Sequence, residues 1–237
     1  TLNLIENAIK NESEGFCILM SGNDYPIKSI SAINSFISQN SDKVFIDIKE
    51  AENIWPTFDK RIKNYKINLS SARGNFLLLK GMNKQTLSCL KKRQINFSQF
   101  VRIIFKKRKL TPEIKFYGGS QWWAMNLSEV IKMNDYINSH KNQLFNFFAY
   151  SLLPDEFFFH SLIMHFRELG NPLKIEESLT YVNWNRQNCP LPVTFEINDF
   201  DELLGQPSIK LFARKFDTEI DKQILDRIDK KLYIDFP

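Results

Sequence analysis

The chain has 237 residues, 43% of them hydrophobic and 14% aromatic, with 25% charged and a formal net charge of +5. This composition suits one large globular domain or two small ones, and the mild basic excess points to anionic partners without choosing among them. No apolar run approaches the ~20 residues of a membrane-spanning helix, and Cys17, Cys89 and Cys189 are too scattered for a zinc site or a disulfide framework.

Leu2, Ile5 and Ile9 already recur at helical spacing, so the chain is expected to begin inside a domain whose earlier part precedes Thr1. Residues 16–20, Phe-Cys-Ile-Leu-Met between Gly15 and Gly22, predict a buried parallel strand. Residues 21–28 then form a loop, 29–39 a helix with Ile30, Ile33, Phe36 and Ile37 on one face, and 44–48 a strand. Strand, loop, helix, strand in that order predicts an α/β fold with a mostly parallel sheet flanked by helices. Ligands of such sheets bind beyond the carboxyl ends of the strands, which makes 21–28 a candidate site wall.

Residues 50–83 carry no clear period. Residues 84–109 read as helical and strongly basic, and 115–117 lead into the hinge signal Gly118-Gly119. A strand is expected near 121–125 and one long helix across 127–149. Pro154 opens a further helix with Asp155 and Glu156 in its first turn. A strand at 179–184, a short helix at 199–204, an extended run at 211–216 and a closing helix at 219–232 complete the chain.

Candidate chemistry is sparse. Glu156 and Asp155 stand among bulky apolar neighbours, which would suit a carboxylate to accept a proton; the local sequence by itself favours the simpler role of complementing a helix N-terminus. Arg214 and Lys215 are adjacent cations in an apolar run, placed either to meet a diphosphate or as ordinary surface charges. Asp199-Phe-Asp201 has the form of a metal–diphosphate handle, but its place before a short helix favours capping. His140, His160 and His165 lack metal-ligand spacing, and no nucleophile elbow, P-loop or dinucleotide fingerprint occurs. Lys91-Lys92-Arg93 and Lys106-Lys107-Arg108-Lys109 flank Phe97, Phe100, Ile103, Ile104 and Phe105. That segment is either a solvated helix face or a surface that docks on anionic lipid or nucleic acid.

Five stretches, taken together and in order, resemble the core-2/I-branching β-1,6-N-acetylglucosaminyltransferase and peptide O-xylosyltransferase family (glycosyltransferase family 14). They are Ser21-Gly22-Asn23-Asp24-Tyr25-Pro26 with Lys28, Gly118 through Trp123, Leu152 through His160, Tyr181 through Arg186, and Leu211 through Asp217. The resemblance implies a GT-A-like fold for 1–237 as the C-terminal portion of one catalytic domain. It implies an inverting transfer from a UDP-sugar to a hydroxyl of a glycan or glycolipid, with no bound metal or other cofactor. In the family the residue matching Glu156 is the base and those matching Arg214 and Lys215 hold the diphosphate. Ser21, Gly22, Asp24, Tyr25 and Pro26 would line the donor and acceptor site with Gly119, Ser120, Gln121, Trp122, Trp123, Asp155 and Trp184.

N-acetylglucosamine is the first donor sugar implied and xylose the alternative. The Lys-, Ile- and Asn-rich composition suggests an AT-rich bacterial or viral source and a cytoplasmic enzyme of polysaccharide synthesis. Peripheral contact with an anionic inner membrane through 91–109 is expected, and nucleic acid is not. A reading of another class is a non-catalytic basic module.

Overall fold

The computed structural model describes residues 1–72, 74–106, 108–110 and 114–232. Lys107, part of the basic run, lies outside them. In chain order the elements are α1 (Leu2–Asn11), β1 (Phe16–Ile18), β2 (Asp24–Pro26), α2 (Ile30–Gln39), β3 (Lys43–Ile46) and β4 (Lys49–Glu50). There follow α3 (Ala51–Ile54), α4 (Phe58–Lys63), the hairpin β5 (Tyr65–Asn68) and β6 (Phe76–Leu79), α5 (Lys84–Lys91) and α6 (Phe97–Phe105). Then come β7 (Tyr117–Gly118), β8 (Trp123–Asn126), α7 (Leu127–Ser139), α8 (Lys141–Phe148) and α9 (Phe158–Glu168). The chain closes with β9 (Lys174–Glu176), β10 (Thr180–Val182), α10 (Phe200–Leu204), β11 (Phe212–Arg214) and α11 (Gln223–Leu232).

The chain forms two compact units. The first takes Thr1–Asp47, Trp122–Ile131 and the residues from Pro172 onward; the second takes Ile48–Gln121 and Lys132–Asn171. The first unit holds a four-stranded sheet in the order β1-β8-β3-β9 and a three-stranded sheet in the order β10-β11-β2. Val44, Phe45 and Ile46 of β3 are each 1% exposed, so this strand is covered on both faces, which is why it reads as a continuous apolar run. Phe45 packs with Ala124, Leu179, Leu211 and Phe212. A second core gathers Ile27, Val193, Phe195, Leu203, Phe216, Ile224 and Ile228. Ser29 caps α2, its hydroxyl accepting from the Ala32 N–H at 3.3 Å.

The fold is α/β, as expected, but the sheets are small and mixed. Among the described residues only β3–β9 and β10–β11 run parallel; β8 lies antiparallel to both β1 and β3, and β2 antiparallel to β11. The buried parallel strand expected at 16–20 is a half-buried edge strand over Phe16–Ile18; a short apolar run does not report direction, and β8 enters the sheet from a segment remote in sequence. The 21–28 segment is also more ordered than the expected loop, because Asp24–Pro26 pairs with β11.

In the second unit β5 and β6 pair along four positions, and Tyr65, Ile67, Leu79, Cys89, Ile95 and Ile103 form a core beneath α5 and α6. The single basic helix expected over 84–109 is two. α5 ends where Arg93 turns left-handed at φ 55, and α6 restarts at an Asn96–Gln99 capping box. The long helix expected over 127–149 likewise breaks at His140.

Candidate functional site

In the first unit the chemistry gathers where β2 meets β11. Asp24 lies opposite Arg214 in the antiparallel register. The Asp24 side chain is fully buried, 0% exposed. A carboxylate so buried must be compensated, and it is. Ser21 donates its backbone N–H at 2.7 Å and its hydroxyl at 3.0 Å, and Arg214 donates from Nη1 at 2.9 Å. Arg214 Nη1 also reaches the Ser21 hydroxyl, and the guanidinium lies over the Trp122 ring, 4.6 Å from its centroid. Its planar fork is thus fixed through one nitrogen, and its other donors meet no partner among the described residues. Lys215 follows directly and its ammonium meets no partner among the described residues. Asp24 thus pairs with and orients Arg214, the first of the two adjacent cations.

The other residues expected here divide by role. Tyr25 donates its hydroxyl to Asp229 at 2.6 Å and packs edge-on against Phe216. Pro26 belongs to β2 and Gly22 to the turn before it. Trp123 is a core residue of β8, paired with Ile46 and 4% exposed. Trp184 is 58% exposed just beyond β10. Lys28 donates to the carbonyl of Gln206 at 2.7 Å, past the end of α10. Asp199 is a capping residue: it accepts from the Glu196 N–H at 2.9 Å and holds the Arg186 guanidinium at 2.7 Å, which Glu202 shares at 2.8 Å. Among the described residues no group of three or more His, Cys, Asp or Glu is arranged to hold a metal ion.

The second unit holds Glu156, and the expected apolar surroundings are corrected there. Leu153 adopts φ 51, ψ 58 immediately before Pro154, a left-handed conformation unusual for leucine and for a residue preceding proline. Strain of this kind, ~1–3 kcal/mol, persists where surrounding contacts enforce it. A single 3-10 turn over Pro154–Glu156 follows. It leaves Asp155 exposed and swings Glu156 to Arg61, whose Nη1 donates to Oε2 at 2.6 Å. The pair is partly buried, 13% exposed for Arg61 and 34% for Glu156. The Arg61 guanidinium lies 3.8 Å from the Trp55 ring centroid, and Trp55 stacks on Phe58. Glu156 is therefore held by an ion pair on an aromatic shelf.

The Gly118–Gln121 stretch is tied to the same turn. The Gly119 N–H donates to the Glu156 carbonyl at 3.0 Å. Tyr117 N–H donates to the Ser161 hydroxyl at 3.1 Å, and His160 Nε2 reaches the Ser120 carbonyl at 2.9 Å. A carbonyl only accepts, so Nε2 carries the proton. Burial pushes His160 down to about 4; the ring is neutral and acts as a strap. Gly118 is required by space, since a Cβ there would meet the Trp55 ring at 2.4 Å. Arg61 and Trp55 escape a sequence reading because residues 50–83 show no period, and the contacts of Arg61 and Ser161 span 95 and 44 positions.

Comparison with known proteins agrees with the resemblance. Over 235 residues the chain is 25% identical to xylosyltransferase 2 of Homo sapiens, covering 94% of this chain and 24% of that protein. Xylosyltransferase 2 of Mus musculus is similar at 25% and 24% coverage, and xylosyltransferase 1 of Homo sapiens at 23% identity and 21% coverage. The chain spans about a quarter of the length of these relatives. Residues 1–204 match the Core-2/I-Branching enzyme family, a span that includes Glu156 and stops before Arg214. With most of its length matched, the chain belongs to the Core-2/I-Branching enzyme family.

Proposed function

We propose that this chain transfers a sugar from a UDP-sugar to a hydroxyl of a glycan or glycolipid, with inversion and without a metal ion, on a GT-A-type α/β scaffold. The observation that carries the reading is the state of Glu156. Arg61 anchors Oε2, while Oε1 has no partner among the described residues and the side chain is one-third exposed. An anchored carboxylate with one open oxygen is what a general base needs. The acceptor hydroxyl attacks the anomeric carbon and gives its proton to Glu156. The bond from that carbon to the β-phosphate oxygen breaks, and its electron pair leaves with UDP. Attack from the face opposite the leaving group inverts the configuration. Lys215 and the free donors of Arg214 stabilise the charge that develops on the diphosphate.

The relatives' names favour UDP-xylose as the donor to test first, ahead of UDP-N-acetylglucosamine. The experiment is UDP release with UDP-xylose, UDP-N-acetylglucosamine, UDP-glucose and UDP-galactose, each with and without EDTA. Glu156→Gln is expected to retain UDP binding and lose ~10²–10⁴-fold in turnover, the range of general-base catalysis. Full turnover in that variant would falsify the base assignment, and strict dependence on a divalent cation overturns the cation-pair reading.

A further inference from the structure

The second unit carries a charge asymmetry of which the proposed sugar transfer uses Arg61 alone. From Lys60 to Pro112 the sequence contains fifteen lysines and arginines and no aspartate or glutamate, in a chain with 32 basic and 27 acidic residues. This stretch builds most of α4, the β5–β6 hairpin, α5 and α6. Among the described residues three of its arginines turn inward; Arg61 meets Glu156 at 2.6 Å. Arg102 donates to Asn146 at 3.3 Å and lies over Tyr150, and Arg108 donates to Ser151 at 2.7 Å and to backbone carbonyls. Lys91, Lys92, Arg93 and Lys106 are exposed, and none pairs with a carboxylate among the described residues.

The helix beside these cations has two apolar stripes. Phe100 and Ile103 of α6 pack into the core with Tyr65 and Leu79. Phe97, Val101 and Phe105, at i, i+4 and i+8, form the other stripe. Phe97 is 71% exposed and Phe105 74% exposed, and nearby in sequence Met82 is 64% and Leu87 41% exposed. Apolar side chains exposed as a helical stripe mark an interaction surface.

We propose that the α5–α6 face docks on an anionic lipid bilayer. Phe97 and Phe105 enter the boundary between headgroups and acyl chains, and Lys91, Lys92, Arg93 and Lys106 meet lipid phosphates. Charge complementarity selects an anionic partner, and the apolar side chains select a bilayer over nucleic acid. Val101, Met82 and Leu87 have no flat face on which bases could stack. This inference is independent of the catalytic assignment. No described helix is long and apolar enough to cross a membrane, so the contact is peripheral.

The test is sedimentation of the whole chain with vesicles of equal phosphatidylglycerol and phosphatidylcholine, with vesicles of phosphatidylcholine alone, and anisotropy with a single-stranded oligonucleotide. Binding is expected to the anionic vesicles and to weaken about fivefold for each of Lys91→Gln, Lys92→Gln and Lys106→Gln. The Phe97→Ser/Phe105→Ser double variant is expected to lose roughly tenfold or more with its salt dependence unchanged. Its thermal unfolding should match the parent's, because both rings face water. Absence of vesicle binding, an unchanged affinity in the phenylalanine double variant, or tighter binding to the oligonucleotide overturns the proposal.

Discussion

Replacing Gly118 by alanine places a methyl group inside the Trp55 ring. The new carbon lies 2.4 Å from Cζ3 and 2.5 Å from Cη2 of Trp55, and 3.0 Å from the Glu156 carbonyl oxygen. Carbon atoms in contact prefer ~3.5–4.0 Å, so the indole must retreat by about 1 Å or more. It has little room to do so, because it stacks on Phe58 at 5.9 Å and supports Arg61 at 3.8 Å. Overpacking of this kind costs about 1–3 kcal/mol. For a chain of this size ~1 kcal/mol corresponds to ~2–4 °C, so Tm should fall by about 2–12 °C. UDP release at a temperature where the variant is fully folded should fall as well, since Arg61 loses the shelf from which it holds Glu156. The discriminating measurement is a double-mutant cycle with Trp55→Ala. Without the indole the methyl group fits, and Gly118→Ala should become nearly neutral, a coupling of about 1–2 kcal/mol. An equal loss of Tm in both backgrounds would refute the steric argument and move the cost to the backbone.

Arg61→Ala leaves the Glu156 carboxylate without its partner, and turnover should drop by roughly tenfold or more while UDP affinity, set by other residues, holds; equal turnover in variant and parent contradicts the anchoring role. Lys215→Ala should weaken UDP binding by about 10–100-fold, the worth of one charge-assisted hydrogen bond. Its unfolding midpoint should not move, because the ammonium has no partner to lose among the described residues; unchanged calorimetric affinity counts against the cation pair. Arg108→Ala removes the fork that serves Asn64, Phe147 and Ser151 and should cost about 2–4 kcal/mol in urea unfolding. His160 is buried neutral, with its folded value pushed down to about 4 from 6.5. Its contribution is therefore complete above 6.5 and lost as pH falls from 6.5 towards 4, up to roughly 3 kcal/mol. His160→Gln keeps a donor for the Ser120 carbonyl and removes the titration, so its stability should fall less over that range; parallel pH curves would show that His160 is not responsible.

Much of the local structure was legible in the sequence. The helix over 29–39, the strand at 44–48, the closing helix and the capping reading of Asp199 all rest on residues close in sequence, where spacing and side-chain type decide the outcome. The breaks at Arg93 and His140 were missed because apolar residues continue on both sides of each, and the left-handed turn at Arg93 falls on a residue that gives no local signal. Strand direction was missed for a deeper reason: the partner of β1 is β8, more than 100 positions later. The motif residues themselves were found without their surroundings. Glu156 was read as a carboxylate in an apolar pocket because its sequence neighbours are leucines and phenylalanines, which in space turn to the core and leave the carboxylate to Arg61.

The sequence by itself determined the family and the residue types available for proton and phosphate chemistry, since each is carried by motif order or residue identity along the chain. The tertiary structure decided what each charge does. Asp24 became the counter-ion of Arg214 and Arg61 the anchor of Glu156. Arg108 turned into a buried brace, while Phe97 and Phe105 stayed in water. A charge takes its role from the dielectric and the partners around it, and those come from residues that only folding brings within a few ångströms.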